Sequence, residues 1–227
     1  NGRSDFNVFK TNASISGTTR TVEELVSFAA GSNAAEGTYN VTVNRLATAQ
    51  KLASGAFSSS SESLGISGTL TINGQEISIA ATDRLSDIQS KINALNSGDN
   101  PLDVTASILS VSNSEYRLTL TSRTTGAQGF TLTDGTGSLG LNQIVAGQDA
   151  EIVVDGFTIT RGSNTITDVI PGVTLSLAGA DEGAAITLDV NRDYDGVKEK
   201  IQKFVDAYNE LMDYIDKQSA ASDDGKT

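Results

Sequence analysis

Gly135, Gly137 and Gly140 spell G-x-G-x-x-G directly after the strand-like stretch FTLTD. That spacing cradles a pyrophosphate when a helix follows and offers its N-terminal amides. Here the next residues, LNQIVAGQDA, have neither a cap nor a helical period, so the glycines read as a turn-rich loop between strands. Asn191, Asp193, Asp195 and Gly196 match the first half of a calcium loop, but Gln202 stands where the bidentate Glu is required and no helix leads in. Asp193 or Asp195 is expected instead to cap the following helix and complement its dipole. The carboxylate pairs Glu23-Glu24, Asp181-Glu182 and Asp223-Asp224 are chain neighbours, and neighbours do not face each other across a sugar as glycosidase carboxylates must. They read as solvated surface charge.

The wider inventory removes most of the remaining chemistry. The 227 residues include no His, no Cys, no Trp and one Met. General acid–base work near neutral pH falls most often to His, and zinc or other transition-metal sites rely on His or Cys. No catalytic, cofactor-binding or metal-ligating residue is therefore assigned, and the chain reads as a structural or binding protein, not an enzyme. A net charge of -12 opposes phosphate backbones and anionic membrane surfaces, so neither nucleic acid nor membrane is an expected partner. No run of 18 or more apolar residues occurs, and NGRSDFNVFK lacks the apolar stretch of a signal peptide. The absence of Cys rules out disulfides and suits export of an unfolded chain through a narrow conduit.

Abundant Ser and Thr, 22 Gly and 2 Pro suit short strands joined by tight turns. The fold class is read as mainly β, of α+β type. Two segments repeat one unit about 82 residues apart. In the first, an Asn73-Gly74 turn pairs Ile72 with Gln75 and Leu70 with Ile77, placing Leu70, Ile72, Ile77 and Ile79 on one face. In the second, Asp155-Gly156 does the same for Ile152, Val154, Phe157 and Ile159. Each hairpin is followed by an Asp-apolar pair, Asp87-Ile88 and Asp168-Val169. Leu85, Ile88, Ile92 and Leu95 then predict a short amphipathic helix, with Thr82 or Asp83 as its cap and Gly98 and Pro101 as stops. Alternation predicts a hairpin from Val104, Ala106 and Ile108 to Tyr116, Leu118 and Leu120, packed on that helix. Strands at Val173–Leu177 and Ile186–Val190 are expected to share a sheet with the second repeat. The run Ser58–Ser61 reads as a linker, and Thr21 to Glu24 has the form of a capping box amid residues that favour extended chain.

The C-terminal region changes period. Val197, Ile201, Phe204, Tyr208, Leu211 and Ile215 are spaced alternately four and three apart, a heptad pattern. Val205 and Met212 on one flank, with Ala207 and Tyr214 on the other, widen the stripe beyond a two-stranded seam. The six heptad residues are assigned to helix packing and self-assembly, against more than one neighbour. Glu199 with Lys203 and Asp213 with Lys217 are ordered as favourable i,i+4 pairs.

Four blocks taken in order resemble a single family: GTYNVTVNRLATAQKLAS from Gly37 to Ser54, GTLTINGQEISI with its LSDIQSKIN helix, DAEIVVDGFTITRGSNTITDVIPGVTLSL, and FVDAYNELMDYI. The family is flagellar hook-associated protein 2, the flagellar filament cap. The resemblance implies two β-rich domains, one inserted in the other, carried on a helical leg domain. Placed on this chain, it gives an N-terminal extended segment 1–36, an outer β-rich domain 37–63 plus 146–193, and an inserted β-rich domain 64–145 with one short helix. A leg helix 194–218 and a disordered tail 219–227 follow. The function it implies is an extracellular cap at the tip of the bacterial flagellar filament, assembling as a homo-oligomeric ring and promoting folding and insertion of exported flagellin. The implied partners are further copies of the chain, flagellin and hook–filament junction proteins. Two alternatives accompany it: an adhesin-like surface module binding host glycan or mucin, and another hook-associated or flagellin-like filament component.

Overall fold

The computed structural model describes residues 7–223, with side chains described as far as Gln218. Burial of alternating apolar residues builds two cores, each between sheets. Around the first, a five-stranded antiparallel sheet runs in the order β1 (Phe9–Ser16), β15 (Asp181–Arg192), β3 (Gly37–Arg45), β11 (Ala150–Val154), β12 (Phe157–Arg161). It shares its core with a three-stranded sheet of β13 (Thr165–Ile170), β14 (Val173–Leu177) and β2 (Val26–Ala30). Val43, Ile152, Ile186 and Leu188 from the larger sheet meet Val26, Ile170 and Leu175 from the smaller, all essentially inaccessible to solvent. The β-branched content suits strands packed on a pleated, half-buried surface.

The second core combines a four-stranded sheet, β10 (Asn142–Val145), β4 (Lys51–Ala53), β8 (Glu115–Ser122) and β7 (Val104–Ser112), with a three-stranded sheet, β6 (Gln75–Ile79), β5 (Gly68–Ile72) and β9 (Leu132–Asp134). Helix α1 (Leu85–Ala94) buries Leu85, Ile88 and Ile92 against them. It also finishes the outer edge of β7: Asn93 donates to Ala106 O at 2.8 Å and accepts from Ala106 N at 2.9 Å, and Asn96 donates to Val104 O at 2.8 Å. These carboxamides stand in for a neighbouring strand and cover an edge that would otherwise invite one. A long C-terminal helix, α2 (Tyr194–Asp223), leaves the end of β15. The fold is mainly β with two helices, as read from the sequence.

Both predicted hairpins form in the expected register, with Ile72 opposite Gln75 and Val154 opposite Phe157. The turn residues Asn73 and Asp155 both sit at φ 49, a left-handed conformation that Asn and Asp tolerate better than most residues. Each also carries the ladder one residue beyond its strand. Asn73 N donates to Thr131 O and Thr131 N donates to the Asn73 side chain at 3.0 Å. In the same way Asp155 N donates to Asn40 O and Asn40 N donates to the Asp155 carboxylate at 2.8 Å. The repeat is thus a hairpin plus a third strand, β9 in one copy and β3 in the other.

Beyond the hairpins the repeats diverge. Asp87-Ile88 lies in α1, whereas Asp168-Val169 lies in strand β13, because TITDVI is rich in β-branched residues while LSDIQSKIN offers stronger helix formers. Phe157, expected inside, is 73% exposed: β12 is the edge of its sheet, and cover ends at its partner Val154. Of the two strands expected to join the second repeat, β15 does so, but β14 lies in the opposing sheet between β13 and β2. The first residue before α1 is Arg84, whose amide is held by Asp87 at 3.0 Å, and neither Thr82 nor Asp83 caps it. Asp83 instead accepts from Ala80 N at 2.8 Å and pairs with Lys91.

The N-terminal segment contains both readings of its sequence. Thr21 N donates to the Glu24 carboxylate at 2.8 Å and Glu24 N to the Thr21 hydroxyl at 3.4 Å, a closed capping box. No helix follows it: a single turn leads directly into β2. The serine run is not where the chain changes core. Ala47 belongs to the first and Leu52 to the second, so the crossing falls at residues 48–51. Phe57 already pairs with Tyr116, and Ser60 O accepts from Ser86 N beside the start of α1. Finally, α2 continues to Asp223, past the expected end at 218, as the helix-favouring Ala220 and Ala221 allow; residues 224–227 of the expected tail, like residues 1–6 of the N-terminal segment, lie outside the described residues.

Two changes test this account. Asn73→Ala should destabilise the second core by about 2–3 kcal/mol, combining two lost side-chain hydrogen bonds, from Thr131 N and to Leu102 O, with a strained left-handed residue. Asn73→Gly, which relieves only the backbone, should fall between it and the unaltered chain in urea denaturation. For Asp83, the Lys91 bond foremost and the Ala80 amide next hold the carboxyl below its usual range. A depressed folded-state pKa contributes stability above the unfolded value, about 3.9, and loses it as pH falls through the lower folded value. Asp83→Asn should remove that part of the acid-induced loss, measured by amide exchange of β6 and α1 between neutral and acid pH.

Candidate assembly surface

Helix α2 starts from a defined anchor. Asp193 N donates to Val8 O at 2.8 Å, Val197 N to Asp193 O at 3.0 Å, and Gly196 N to the Asp193 carboxylate at 3.1 Å. Asp193 is therefore the N-cap, one of the two residues the sequence offered for that role, and its carboxylate also lies at the positive end of the helix dipole. Just before it, Arg192 pairs with Glu36 at 2.8 Å and stacks over the Phe9 ring at 5.6 Å from the centroid. A cleft of about 340 Å³ opens beside this junction, lined by Val8, Phe9, Ala30, Gly31 and Lys200 among others.

Beyond the junction the helix stands away from both cores among the described residues. No residue from Tyr194 to Gln218 is buried. Of the six heptad residues, Val197 at the base is half-buried, Phe204 is 70% exposed, and Ile201, Tyr208, Leu211 and Ile215 are all exposed. The structure brings these six onto one helix as the spacing required. Val205, Met212 and Tyr214 are exposed beside them, so the apolar surface extends beyond a single seam. Along the helix Gln202 donates to the Asp206 carboxylate at 2.9 Å, and among the described residues neither Glu199–Lys203 nor Asp213–Lys217 closes as an ion pair.

The candidate chemical motifs resolve into loop and cap geometry. Gly137 at φ 64 and Gly140 at φ 62 make turns between β9 and β10, and no helix follows them. Asn191 lies on β15 and Asp193 caps α2; among the described residues no three metal-ligating side chains gather. Asp181 accepts from the Thr18 hydroxyl at 2.7 Å and from Gly183 N at 3.0 Å, which together with nearby Arg20 hold its carboxyl below the usual range. That bonding ties the start of β15 to the turn after β1. Other exposed apolar residues escaped the sequence reading: Leu109 and Val111 at the end of β7, and Ile144 on β10. The first two alternate out of phase with buried Val104 and Ala106, a signal that was present in the period of the strand.

Comparisons with known proteins bear on the whole chain. The family model described as flagellar hook-associated protein 2 C-terminus matches residues 147–227, and that described as flagellin hook IN motif matches residues 69–124. The B-type flagellar hook-associated protein 2 of Pseudomonas aeruginosa is 31% identical over 90% of this chain and 49% of its own length. The lateral flagellar hook-associated protein 2 of Vibrio parahaemolyticus is 32% identical over 87% of this chain and 50% of its own. The chain thus spans about half the length of these relatives. Among solved structures, the D1-D2-D3 domains of the flagellar cap protein FliD from Escherichia coli align with a TM-score of 0.76 at 29% identity, over 95% of this chain and 76% of that one. FliD (HAP2) from Pseudomonas aeruginosa aligns with a TM-score of 0.66 at 30% identity, over 86% and 96%.

If α2 draws no support from the β-rich body, ending the chain after Asp193 should leave the stability of both cores within about 0.5 kcal/mol, as for changes at exposed sites. Thermal denaturation followed in the β-sheet region of the circular dichroism spectrum measures this. A larger loss would mean that the body leans on the helix.

Proposed function

This chain belongs to the flagellar hook-associated protein 2 family, and from that membership we propose that it contributes the head and the first leg helix of a cap at the outer end of the bacterial flagellar filament. The family is a structural one, not a family of enzymes. In this reading the two β-rich units form the head, with the inserted unit entered after Ala47 and left before Ala150. Helix α2 is the leg, packing through Val197, Ile201, Phe204, Tyr208, Leu211 and Ile215. Copies associate in a ring outside the cell, and the ring holds exported flagellin while each subunit folds and inserts. No bond is made or broken. A ring whose symmetry differs from that of the filament leaves one opening at a time, and small movements of the legs shift that opening.

The observation that carries the proposal is the exposed apolar stripe of α2, beside two cores whose interior residues are inaccessible to solvent. A helix of this composition is marginal by itself and draws its stability from packing an apolar face. The stripe is wider than a two-stranded seam, which supports a bundle of helices over a simple pair.

Ile201→Asp or Leu211→Asp would place an unpaired charge inside that packing, at a cost of about 3–5 kcal/mol. Each should abolish assembly of the full-length protein, read by sedimentation, while circular dichroism shows the β-rich units still folded. Unfolding of the whole chain would contradict the separation of head and leg. The role at the tip is tested by electron microscopy of labelled full-length protein with filaments of its own species. Label at one end supports the cap, whereas label along the sides or none at all overturns it.

A further inference from the structure

The chain passes between its two cores twice, and the two crossing segments meet. Thr48 N donates to Gln148 O at 2.8 Å and Gln148 N returns a bond to Thr48 O at 3.1 Å. The Thr48 hydroxyl adds a bond to Ala146 O at 3.1 Å and the Gln148 carboxamide one to Leu46 O at 3.2 Å. All of these bonds join one crossing segment to the other, so by themselves they leave the pair of segments able to bend as a hinge. The structure adds a third element at this spot. The loop after β8, which begins at Arg123 on the second core, folds back over the crossing and reaches the first.

Its contacts run to both sides. Gly126 N donates to Thr48 O at 3.1 Å, the same carbonyl that holds Gln148. Ala127 N donates to the Asp149 carboxylate at 2.7 Å, on the returning segment. The Thr125 hydroxyl donates to Gly162 O at 2.6 Å, in the turn after β12 of the first core. Space at the junction is as tight as the bonding. A Cβ on Gly147 would collide with the Gly126 carbonyl oxygen, and one on Gly126 would come within 3.0 Å of the Gly162 Cα. Gly126, buried and at φ 118, is the position where backbones from the loop, the crossing and the first core come together. Interfaces packed at this density resist continuous deformation and hold one arrangement.

We propose that residues 125–127 form a clasp that converts the two-strand hinge between the cores into a rigid joint and fixes the orientation of one β-rich unit on the other. The bridge at Thr48 and Gln148 ties the segments together, and the clasp supplies the out-of-line contacts that stop them turning. Thr125 reads the first core directly, while Asp149 and Gly126 hold the loop in place to do so. A force applied to either unit is then passed to the other without loss in the connection. This inference goes beyond the cap reading and stands without it, because it concerns only the joint within one copy.

The chain lacks Cys, so two introduced cysteines are the sole labelling sites. Asn12→Cys on β1 and Glu76→Cys on β6, both exposed, place spin labels on the two units. Pulsed electron spin resonance on the whole chain should give a single narrow distance distribution. Asp149→Ala and Thr125→Val should each broaden it, with amide exchange of β3 and β5 unchanged. Thr125→Val decides the matter should Asp149→Ala also loosen either core, since it deletes one hydroxyl and leaves the crossing intact. A distribution already broad in the unaltered chain, or one that stays narrow in both variants, overturns the proposal.

Discussion

The pairing of β3 with two distant strands is the constraint from which the rest of the structure follows. One side of β3 takes β15 and the other takes β11, so residues 37–45, 150–154 and 181–192 share one sheet. Val41 and Val43 make this worthwhile, since they are inaccessible to solvent only when both neighbours and the opposing sheet are in place. Once β3 and β11 are paired, the chain between them must leave and return at the same place, which is why the second core hangs from a two-strand crossing. Once β15 is paired, its end at Arg192 fixes where α2 departs. These are contacts between residues far apart in sequence, and their closure entropy must be met before their burial is gained.

What the sequence made legible follows from how local each signal is. Asn73-Gly74 and Asp155-Gly156 could be read because a two-residue turn at positive φ admits few residue types, and the turn then sets the register of both arms. The period of α1 and that of α2 were readable for the same reason. Sheet membership was not: Val173–Leu177 has the alternation of any half-buried strand, and nothing local says that β13 and β2 are its neighbours. Phe157 shows the same limit, because its phase matches Ile159 while its exposure depends on where the opposing sheet ends. Thr21 and Glu24 form the bonds of a capping box without its helix, since those bonds need one turn of chain and a helix needs several.

The candidate site divides along the same line. The six heptad residues of α2 could be found by spacing alone, and so could an Asp cap at its start. The anchor on Val8 and the stacking of Arg192 on Phe9 could not, because each joins the beginning of the chain to its end. The G-x-G-x-x-G and half calcium loop fail for a reason visible in both sequence and structure: each motif acquires its chemistry from the helix or ligand beside it, and those companions are missing here.

This protein separates its surfaces by how much each has already gained from burial. The two cores bury their apolar side chains between sheets of the chain itself. The stripe on α2 has gained almost nothing, for its residues remain in water from Ile201 to Ile215. At roughly 25 cal/mol per Å² of apolar surface, the free energy withheld there becomes available only when other helices cover it. In the proposed assembly, a closed head and an unsatisfied leg therefore play different parts: the head supplies geometry, and the leg supplies the driving force that makes the geometry collective.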